Sequence, residues 1–405
     1  MSSRLLGCSI LVAAAIAGAH AQDLFDRVDE ALTLSILQDR ARLRLSGTLD
    51  VEFYHVAQPP FALIDTESRD LFNSRLSLFL DMQLGPKVYA FAQMRADRGF
   101  DAAEHGAEVR LDEYAVRVTP WEEGRFNIQI GKFSAVVGNW IPRHLSWDNP
   151  FVTAPLPYEH MTRVSDTDVP ADTKEFSHPH GSDAAYGYNP LIWGPDYTSG
   201  MSVSGRIGVF EYAAELKNAA LSSRPESWDA TQIGFDHPTF SSRLGWHPSA
   251  TWNFGISASR GPYLRPEAGS LLPRGRGIGD YEQLLLGQDI AFAWRHLQIW
   301  AEFFETRFEV PRVGNADTFA CYVEAKYKFS PELFAAVRWN QQLFANVPDG
   351  LGGVVPWDHE VWRADAAVGY RFTAHTQLKV QYSLQKEDGL DGENHAVAVQ
   401  FTVRF

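Results

Sequence analysis

Residues 393–405 read ENHAVAVQFTVRF, and this closing stretch decides the fold. Apolar residues stand at every second position, namely Val397, Val399, Phe401, Val403 and Phe405. A period of two predicts a β-strand with one apolar and one polar face. The strand runs to the last residue, and an open apolar edge at a chain end invites aggregation. We therefore expect it to pair with the first strand and close a barrel; the alternative is the last strand of a soluble sandwich.

Residues 1–21, MSSRLLGCSILVAAAIAGAHA, have the pattern of a secretory signal peptide. Arg4 supplies the charged start, residues 5–18 the apolar core, and residues 19–21 a small-x-small cleavage site. The rest of the chain has no apolar run long enough for a membrane helix. We expect an exported chain of this kind to be either a periplasmic protein or a β-barrel.

The chain is acidic, with 36 Lys and Arg against 50 Asp and Glu and a formal net charge of −14. This balance argues against nucleic acid as a partner. Cys321 is the only cysteine outside the predicted signal peptide, so we expect neither a disulfide framework nor a thiolate metal site. Aromatic residues make up 13% of the chain, which suits a barrel with two interfacial aromatic belts.

The sequence predicts a helix before the barrel. Between residues 22 and 40, apolar residues fall at helical spacing: Phe25, Val28, Leu32 and Ile36. We interpret this segment as a short periplasmic helix, and residues 43–405 as the barrel. The pattern leaves open whether the helix associates subunits or lies in the lumen.

From residue 43 onward, alternating stretches predict about sixteen antiparallel strands. Their predicted bounds are 43–55, 70–84, 87–98, 108–118, 125–132, 198–205, 207–218, 238–247, 251–260, 283–294, 297–309, 317–329, 332–345, 359–373, 376–388 and 393–405. Every second connection is a tight turn of Gly, Pro and other turn residues. The other connections between strands are mostly longer; residues 310–316 and 389–392 are the short exceptions. A transmembrane barrel has this asymmetry between its two ends.

Aromatic residues support the barrel interpretation. Six of them stand at or beside the tight turns: Trp121, Trp246, Trp252, Trp294, Phe329 and Phe372. They predict an aromatic girdle at one membrane interface. Within residues 70–84, Leu76, Leu78 and Leu80 alternate with Arg75, Ser77 and Asp81, which predicts an apolar outer face and a charged inner face.

One connection, residues 133–198, is far longer than the others, and a loop of this length in a compact domain is normally functional. Together with the strand count, the turn asymmetry and the terminal Phe405, it resembles the sixteen-stranded general and substrate-selective porins of bacterial outer membranes. Gly131-Lys132-Phe133 also looks like the same region of several porin groups. The resemblance implies that the loop folds into the lumen as a constriction and that the subunits form a homotrimer.

Charged residues give candidates for the constriction. The loop carboxylates that follow the fifth strand most closely are Asp148, Glu159, Asp166 and Asp168. The basic wall residues expected to face them are Arg75, Arg95 and Arg117. Acids opposite bases would set a transverse field that tunes ion selectivity. The alternative is that wall charges pair across neighbouring strands and that the loop acids are solvated.

The leading hypothesis is a porin, a water-filled channel in the outer membrane for passive diffusion of small hydrophilic solutes and ions. One alternative is a substrate-selective channel for phosphate and other anions or for carbohydrate. Another is an outer-membrane hydrolase, although no elbow motif singles out a catalytic trio. We expect no enzyme activity and no cofactor. His178 and His180 lack the spacing of a metal site, so we expect none.

Overall fold

The structure, a computed structural model, describes residues 26–28, 30–36, 40–59, 63, 68–97, 108–121, 124–177, 187–224, 234–389 and 392–405. The predicted signal peptide, the predicted helix start and the two histidines at 178 and 180 lie outside these residues. The short helical segments within them include Ile141–Arg143, Leu156–Tyr158 and Thr173–Ser177. Of the helices that the structure describes, none is both long and apolar enough to cross a membrane.

Sixteen long strands form the body of the protein. They are β1 (Ala41–Val56), β2 (Asp70–Leu84), β3 (Val88–Asp97), β4 (Glu108–Val118), β5 (Asn127–Phe133), β6 (Thr198–Ile207), β7 (Phe210–Lys217), β8 (Thr239–Trp246), β9 (Trp252–Pro262), β10 (Glu282–Trp294), β11 (Leu297–Val310), β12 (Gly314–Lys328), β13 (Leu333–Phe344), β14 (Val361–Arg371), β15 (Thr376–Glu387) and β16 (Asn394–Arg404). Short strands at Asn346–Pro348 and Val354–Pro356 form a separate hairpin.

Each strand pairs antiparallel with its sequence neighbours, and β16 pairs with β1, so the sheet closes on itself. The closing register sets Ala396 opposite Val56 and Arg404 opposite Thr48. Phe405 extends the ladder, because it exchanges two backbone hydrogen bonds of 2.8 and 3.0 Å with Gly47. The predicted sixteen-stranded barrel, closed by the last strand, is confirmed.

Side chains alternate between the two faces of the wall as the sequence predicts. In β13, Phe334, Ala336 and Arg338 point inward and are buried, whereas Val337 and Trp339 point outward and are exposed. The six aromatic residues at the tight turns are all exposed on the outside. The outer face is therefore apolar and carries an aromatic girdle, while charged residues are buried inside.

Tight turns and long loops lie at opposite ends of the barrel, which we name the short-turn end and the long-loop end. The turn between β6 and β7 is at residues 208–209 and not at the predicted residues 205–206. Arg206 and Ile207 continue the ladder opposite Glu211 and Phe210. Gly208 then turns the chain with a φ of +60°, which glycine adopts at little cost.

The predicted N-terminal helix is wrong at Thr33–Ile36. Residues 26–28 and 30–31 are helical, but Thr33–Ile36 is a strand that pairs with residues 41–44 of β1. Since β16 reaches β1 only as far as Gly47, the preceding residues of β1 expose an unpaired edge. Thr33–Ile36 pairs with that edge as a short extra strand, because tertiary pairing overrides a weak helical pattern.

Candidate pore constriction

The described parts of the long loop, residues 134–177 and 187–197, fold into the barrel and pack against the inner wall. Aromatic and aliphatic side chains form a buried cluster there, which includes Trp140, Ile141, Tyr158, Leu191 and Ile192 from the loop and Phe304, Phe308, Tyr322 and Phe344 from β11 to β13. Tyr158 meets Phe304 edge to face, with 6.0 Å between the ring centroids. Apolar burial therefore holds the loop on one side of the lumen.

Glu302 on β11 fixes the first part of the loop. Its fully buried carboxylate accepts hydrogen bonds from the backbone N–H groups of Asn139 and Trp140 and from the Tyr158 hydroxyl. The Trp140 bond is 2.9 Å long and the Tyr158 bond 2.6 Å. A buried carboxylate requires such donors, since leaving it without them would be costly.

Basic side chains of the wall hold the middle of the loop by its carbonyl groups. The Lys379 Nζ on β15 donates to the carbonyl oxygens of Ser146, Asn149 and Phe151 at 2.8, 3.0 and 2.9 Å. Arg363 on β14 pairs with Glu159 at 2.6 Å. These groups are buried, so water competes little with these bonds.

Lys217 on β7 joins the two ends of the loop. Its Nζ donates to the Phe133 carbonyl at 2.7 Å and to the Asp196 carbonyl at 3.1 Å. The Asp196 carboxylate lies 3.6 Å from the same nitrogen. Burial raises the pKa of Asp196 to about 7, against the opposing pull of Lys217.

The loop leaves a polar cavity of about 160 Å³ on the side of β1 to β3. The wall side of this cavity includes Glu52, Tyr54, Asn73, Arg75, Arg95 and Asp97. The loop side includes Trp140, His144, Asn149, Thr153, Glu159 and Pro195. A space of this size and polarity accommodates several waters or a small polar solute.

The arginines of the cavity are paired with acids of the same wall. Arg75 forms an ion pair with Glu52 and lies 3.5 Å from Asp50. Arg95 lies 3.0 Å from Asp112 and 3.4 Å from Asp97. Pairing of wall charges across neighbouring strands, the alternative to a transverse field, therefore describes both arginines.

A β-bulge in β4 brings additional charges to the interior. The register between β3 and β4 shifts at Gln93/Met94, where Asp112 has no direct partner. The alternation of β4 predicts Glu113 inside and Asp112 outside, but the bulge turns both inward with Arg110. Arg110 pairs with Asp97 at 2.9 Å, which extends the ion-pair network of Arg95. No pattern in the sequence marks this bulge.

Of the seven predicted constriction residues, Arg75, Arg95 and Glu159 line the same cavity. The structure does not bring the other four to it. Asp166 pairs with Arg265 of a neighbouring loop at 2.9 Å, and Asp168 is exposed. Asp148 is also exposed and lies within electrostatic range of Lys326 and Arg371. Arg117 binds the Gln129 side chain near the short-turn end.

His144, at the edge of the cavity, is held neutral. Its ring nitrogens contact the Ile141 carbonyl at 2.5 Å and the Tyr197 hydroxyl at 2.6 Å. Burial lowers the pKa of His144 to about 4. Within the described part of the chain, no group of three or more His, Cys, Asp or Glu side chains is arranged to hold a metal ion.

Solved structures with this architecture are outer-membrane proteins. An anion-selective porin from Comamonas acidovorans matches at 12% identity and a TM-score of 0.56, over 90% of this chain and all of its own. OmpF of Salmonella typhi, solved with daunomycin, matches at 15% identity and a TM-score of 0.54, over 92% of this chain and all of its own. The outer-membrane channel DcaP of Acinetobacter baumannii matches at 11% identity and a TM-score of 0.55, over 91% of this chain and 99% of its own.

The chain has the porin fold. At these identities the likeness concerns the fold alone. No protein-family model matches the sequence, and no curated protein matches it.

Proposed function

We propose that the protein forms a narrow, water-filled channel in the bacterial outer membrane, through which small hydrophilic solutes and ions diffuse passively. A cleaved signal peptide, residues 1–21, exports the chain. The short-turn end faces the periplasm, with the N-terminal segment, residues 22–40, on that side. Residues 43–405 form the barrel, residues 133–198 supply the constriction, and lipid covers the apolar outer face.

The cavity between the long loop and β1 to β3 carries this proposal. Apolar packing and buried hydrogen bonds fill the opposite side of the lumen, so we place the route past the loop beside Arg75 and Arg95. Both acids and bases line this cavity. A diffusing solute thus meets hydrogen-bonding groups of both positive and negative charge. These groups bind it only weakly, so it can enter the channel and leave it again.

An outer-membrane hydrolase is the competing function, and His144 argues against it. A general base needs a nitrogen that can take up a proton at the operating pH. Both ring nitrogens of His144 already have partners, and burial lowers its pKa to about 4. His144 is therefore a poor candidate for a general base. A homotrimer is also part of the proposal, supported by the fold and by the trimer form of OmpT from Vibrio cholerae.

Thiol labelling in planar bilayers tests the channel and its route. In a Cys321→Ser background, Asn73→Cys places a thiol on the wall of the cavity. A bulky, charged thiol reagent should then reduce the single-channel conductance strongly. Ser74→Cys is the matched control, because Ser74 is the next residue of β2 and points outward. The same reagent should leave the conductance of that variant unchanged.

Two results would contradict the proposal. Folded protein that gives no conductance steps in planar bilayers would exclude a channel. Conductance that survives complete labelling of the Asn73→Cys variant, with mass spectrometry as the check on labelling, would place the route elsewhere. Hydrolysis of ester or peptide substrates by the purified barrel would favour the competing function.

A further inference from the structure

A second cavity, of about 580 Å³, opens at the short-turn end beside β9, β10 and β11. We name it the rim pocket. Its lining includes Asn253 of β9, Ala291 and Ala293 of β10, and Gln298 and Trp300 of β11. The register sets Asn253 opposite Ala291 and Ala291 opposite Trp300, so these three side chains share one row of the wall. The rim pocket shares no lining residue with the cavity beside β1 to β3.

The rim pocket opens into the lumen. Its lining contains the inward-facing row but not the outward-facing neighbours Phe254, Ile290 and Ile299. Arg143 of the long loop stacks on the Trp300 ring, with 4.3 Å between the guanidinium carbon and the ring centroid. The pocket therefore lies between the long loop and the short-turn end, in the part of the lumen that we call the vestibule.

The lining of the rim pocket favours hydroxyl groups. The small side chains of Ala291 and Ala293 leave space beside the Trp300 ring. The side-chain oxygen of Asn253 is buried and has no hydrogen-bond partner among the described residues, which is rare in native proteins. The amides of Asn253 and Gln298 both donate and accept, as a sugar hydroxyl does. A ligand hydroxyl would supply the donor that Asn253 lacks.

The lining carries little charge. Arg206 is the only Lys, Arg, Asp or Glu among the described residues that line the pocket, and Glu211 lies opposite it in the ladder between β6 and β7. His247 also lines the pocket, and its Nε2 lies 3.1 Å from the Glu211 carboxylate. Lys326, opposite Gln298, lies outside the lining and within electrostatic range of Glu324. An uncharged ligand suits this lining better than an ion does.

We propose that the rim pocket binds uncharged, hydroxylated solutes of the size of a mono- or disaccharide as they pass through the vestibule. This inference rests on the proposed channel function. The flat apolar ring of Trp300 offers a surface for a sugar ring, while the amides of Asn253 and Gln298 hydrogen-bond its hydroxyl groups. The volume of about 580 Å³ is within the range of small-molecule pockets. Because the pocket opens to the vestibule, a bound solute can leave again.

Calorimetry of the folded barrel with glucose, sucrose and raffinose measures binding without any current. Sucrose should bind, and Asn253→Ala should weaken its affinity about tenfold, as the loss of a hydrogen bond predicts. The variant should fold like the wild type, because the Asn253 oxygen has no partner among the described residues to lose. Trp300→Leu should weaken binding at least as much. Gln83→Ala is the matched control, because Gln83 is also at the short-turn end but on β2, and it should leave the affinity unchanged.

Single-channel current supplies a second readout. Sucrose added from the periplasmic side should interrupt the wild-type current at lower concentration than sucrose from the other side, and Asn253→Ala should lose this difference. A wild-type barrel that binds none of the three sugars would overturn the inference. So would sucrose binding that Asn253→Ala and Trp300→Leu both retain in full, or citrate binding tighter than that of sucrose. Sucrose binding that depends on Asn253 in a barrel without conductance would support the pocket and contradict the channel function alone.

Discussion

Asp358, a largely buried carboxylate near the long-loop end, connects two loops. It lies 3.2 Å from Arg163 of the long loop and accepts hydrogen bonds from the backbone N–H groups of Arg163 and His359 at 2.9 and 2.8 Å. Nearby, Phe176 of the long loop stacks on Trp357. Despite these partners, burial raises the pKa of Asp358 to about 7.

This pKa predicts how stability depends on pH. The folded protein binds the proton of Asp358 more tightly than the unfolded chain, whose aspartates have a pKa near 3.9. The contribution of Asp358 to stability is therefore fully present below about pH 4 and is lost as the pH rises to about 7. A shift of this size corresponds to at most roughly 4 kcal/mol. Asp196 changes stability in the same direction.

Asp358→Asn isolates this contribution. Asparagine keeps the shape of the side chain and does not ionise, so the variant should lose less stability than the wild type between pH 4 and pH 8. Unfolding midpoints in guanidinium chloride measure the difference. Asp168→Asn is the control, because Asp168 is exposed on the same loop. Parallel pH profiles for wild type and Asp358→Asn would show that Asp358 is not the titrating group.

At the residue scale, the sequence predicts whether a side chain points inward or outward wherever the alternation is regular. Arg75, Lys217 and Arg363 follow the period of two and do point inward, because a closed barrel forces successive side chains to opposite faces. Arg110 and Asp112 could not be predicted, since one bulged residue reverses the alternation beyond it. The pairing of Arg75 with Glu52 depends on strand register, which alternation alone does not specify.

Among the elements, the position of the long loop sets the width of the proposed channel and where it runs. The sequence predicts that the loop exists, because the segment between β5 and β6 is long. It does not predict which wall residues the loop contacts. Lys379 binds carbonyl groups more than 220 residues earlier in the chain, and backbone carbonyls leave no mark in a sequence. The sequence predicts that Asp148 and Asp168 face Arg75, Arg95 and Arg117, but the wall binds the loop largely through backbone carbonyl groups, and Glu159 is the predicted acid that pairs with a basic wall residue, Arg363.

Lys379→Met tests the attachment of the loop. The substitution leaves the carbonyl oxygens of Ser146, Asn149 and Phe151 without their shared donor in a buried place, which costs roughly 1–3 kcal/mol or more. We expect larger single-channel conductance with more frequent fluctuations, because the middle of the loop moves away from the wall.

Lys386→Met provides the control for this experiment, because Lys386 is on the same strand but exposed near its far end. Its conductance trace should match the wild type. A quiet Lys379→Met channel of wild-type conductance would mean that apolar packing, for example of Tyr158 on Phe304, holds the loop without the lysine.

For the whole molecule, closure of the barrel depends on the junction between β16 and β1. Phe405 exchanges two backbone hydrogen bonds with Gly47, and its ring lies where a Gly47 side chain would be. A Cβ atom at Gly47 would meet the Phe405 ring at 2.7 Å. The alternation of residues 393–405 predicts the strand and its role in closing the barrel. It does not predict that Gly47 lies opposite Phe405, because this pairing depends on the strand register.

Deleting Phe405 should therefore lower the yield of folded barrel. The deletion removes both backbone bonds to Gly47 and the ring that covers it, so the first and last strands separate more readily at the short-turn end. Refolding into lipid vesicles, followed by the heat-dependent shift of the band on denaturing gels, measures the folded fraction. Phe405→Tyr retains the ring and the backbone bonds and should refold like the wild type. Gly47→Val, which displaces the ring while keeping Phe405, should reproduce part of the defect. If the deletion refolds as well as Phe405→Tyr, the junction does not limit closure, and the barrel is held shut by the nine residue pairs between β16 and β1 alone.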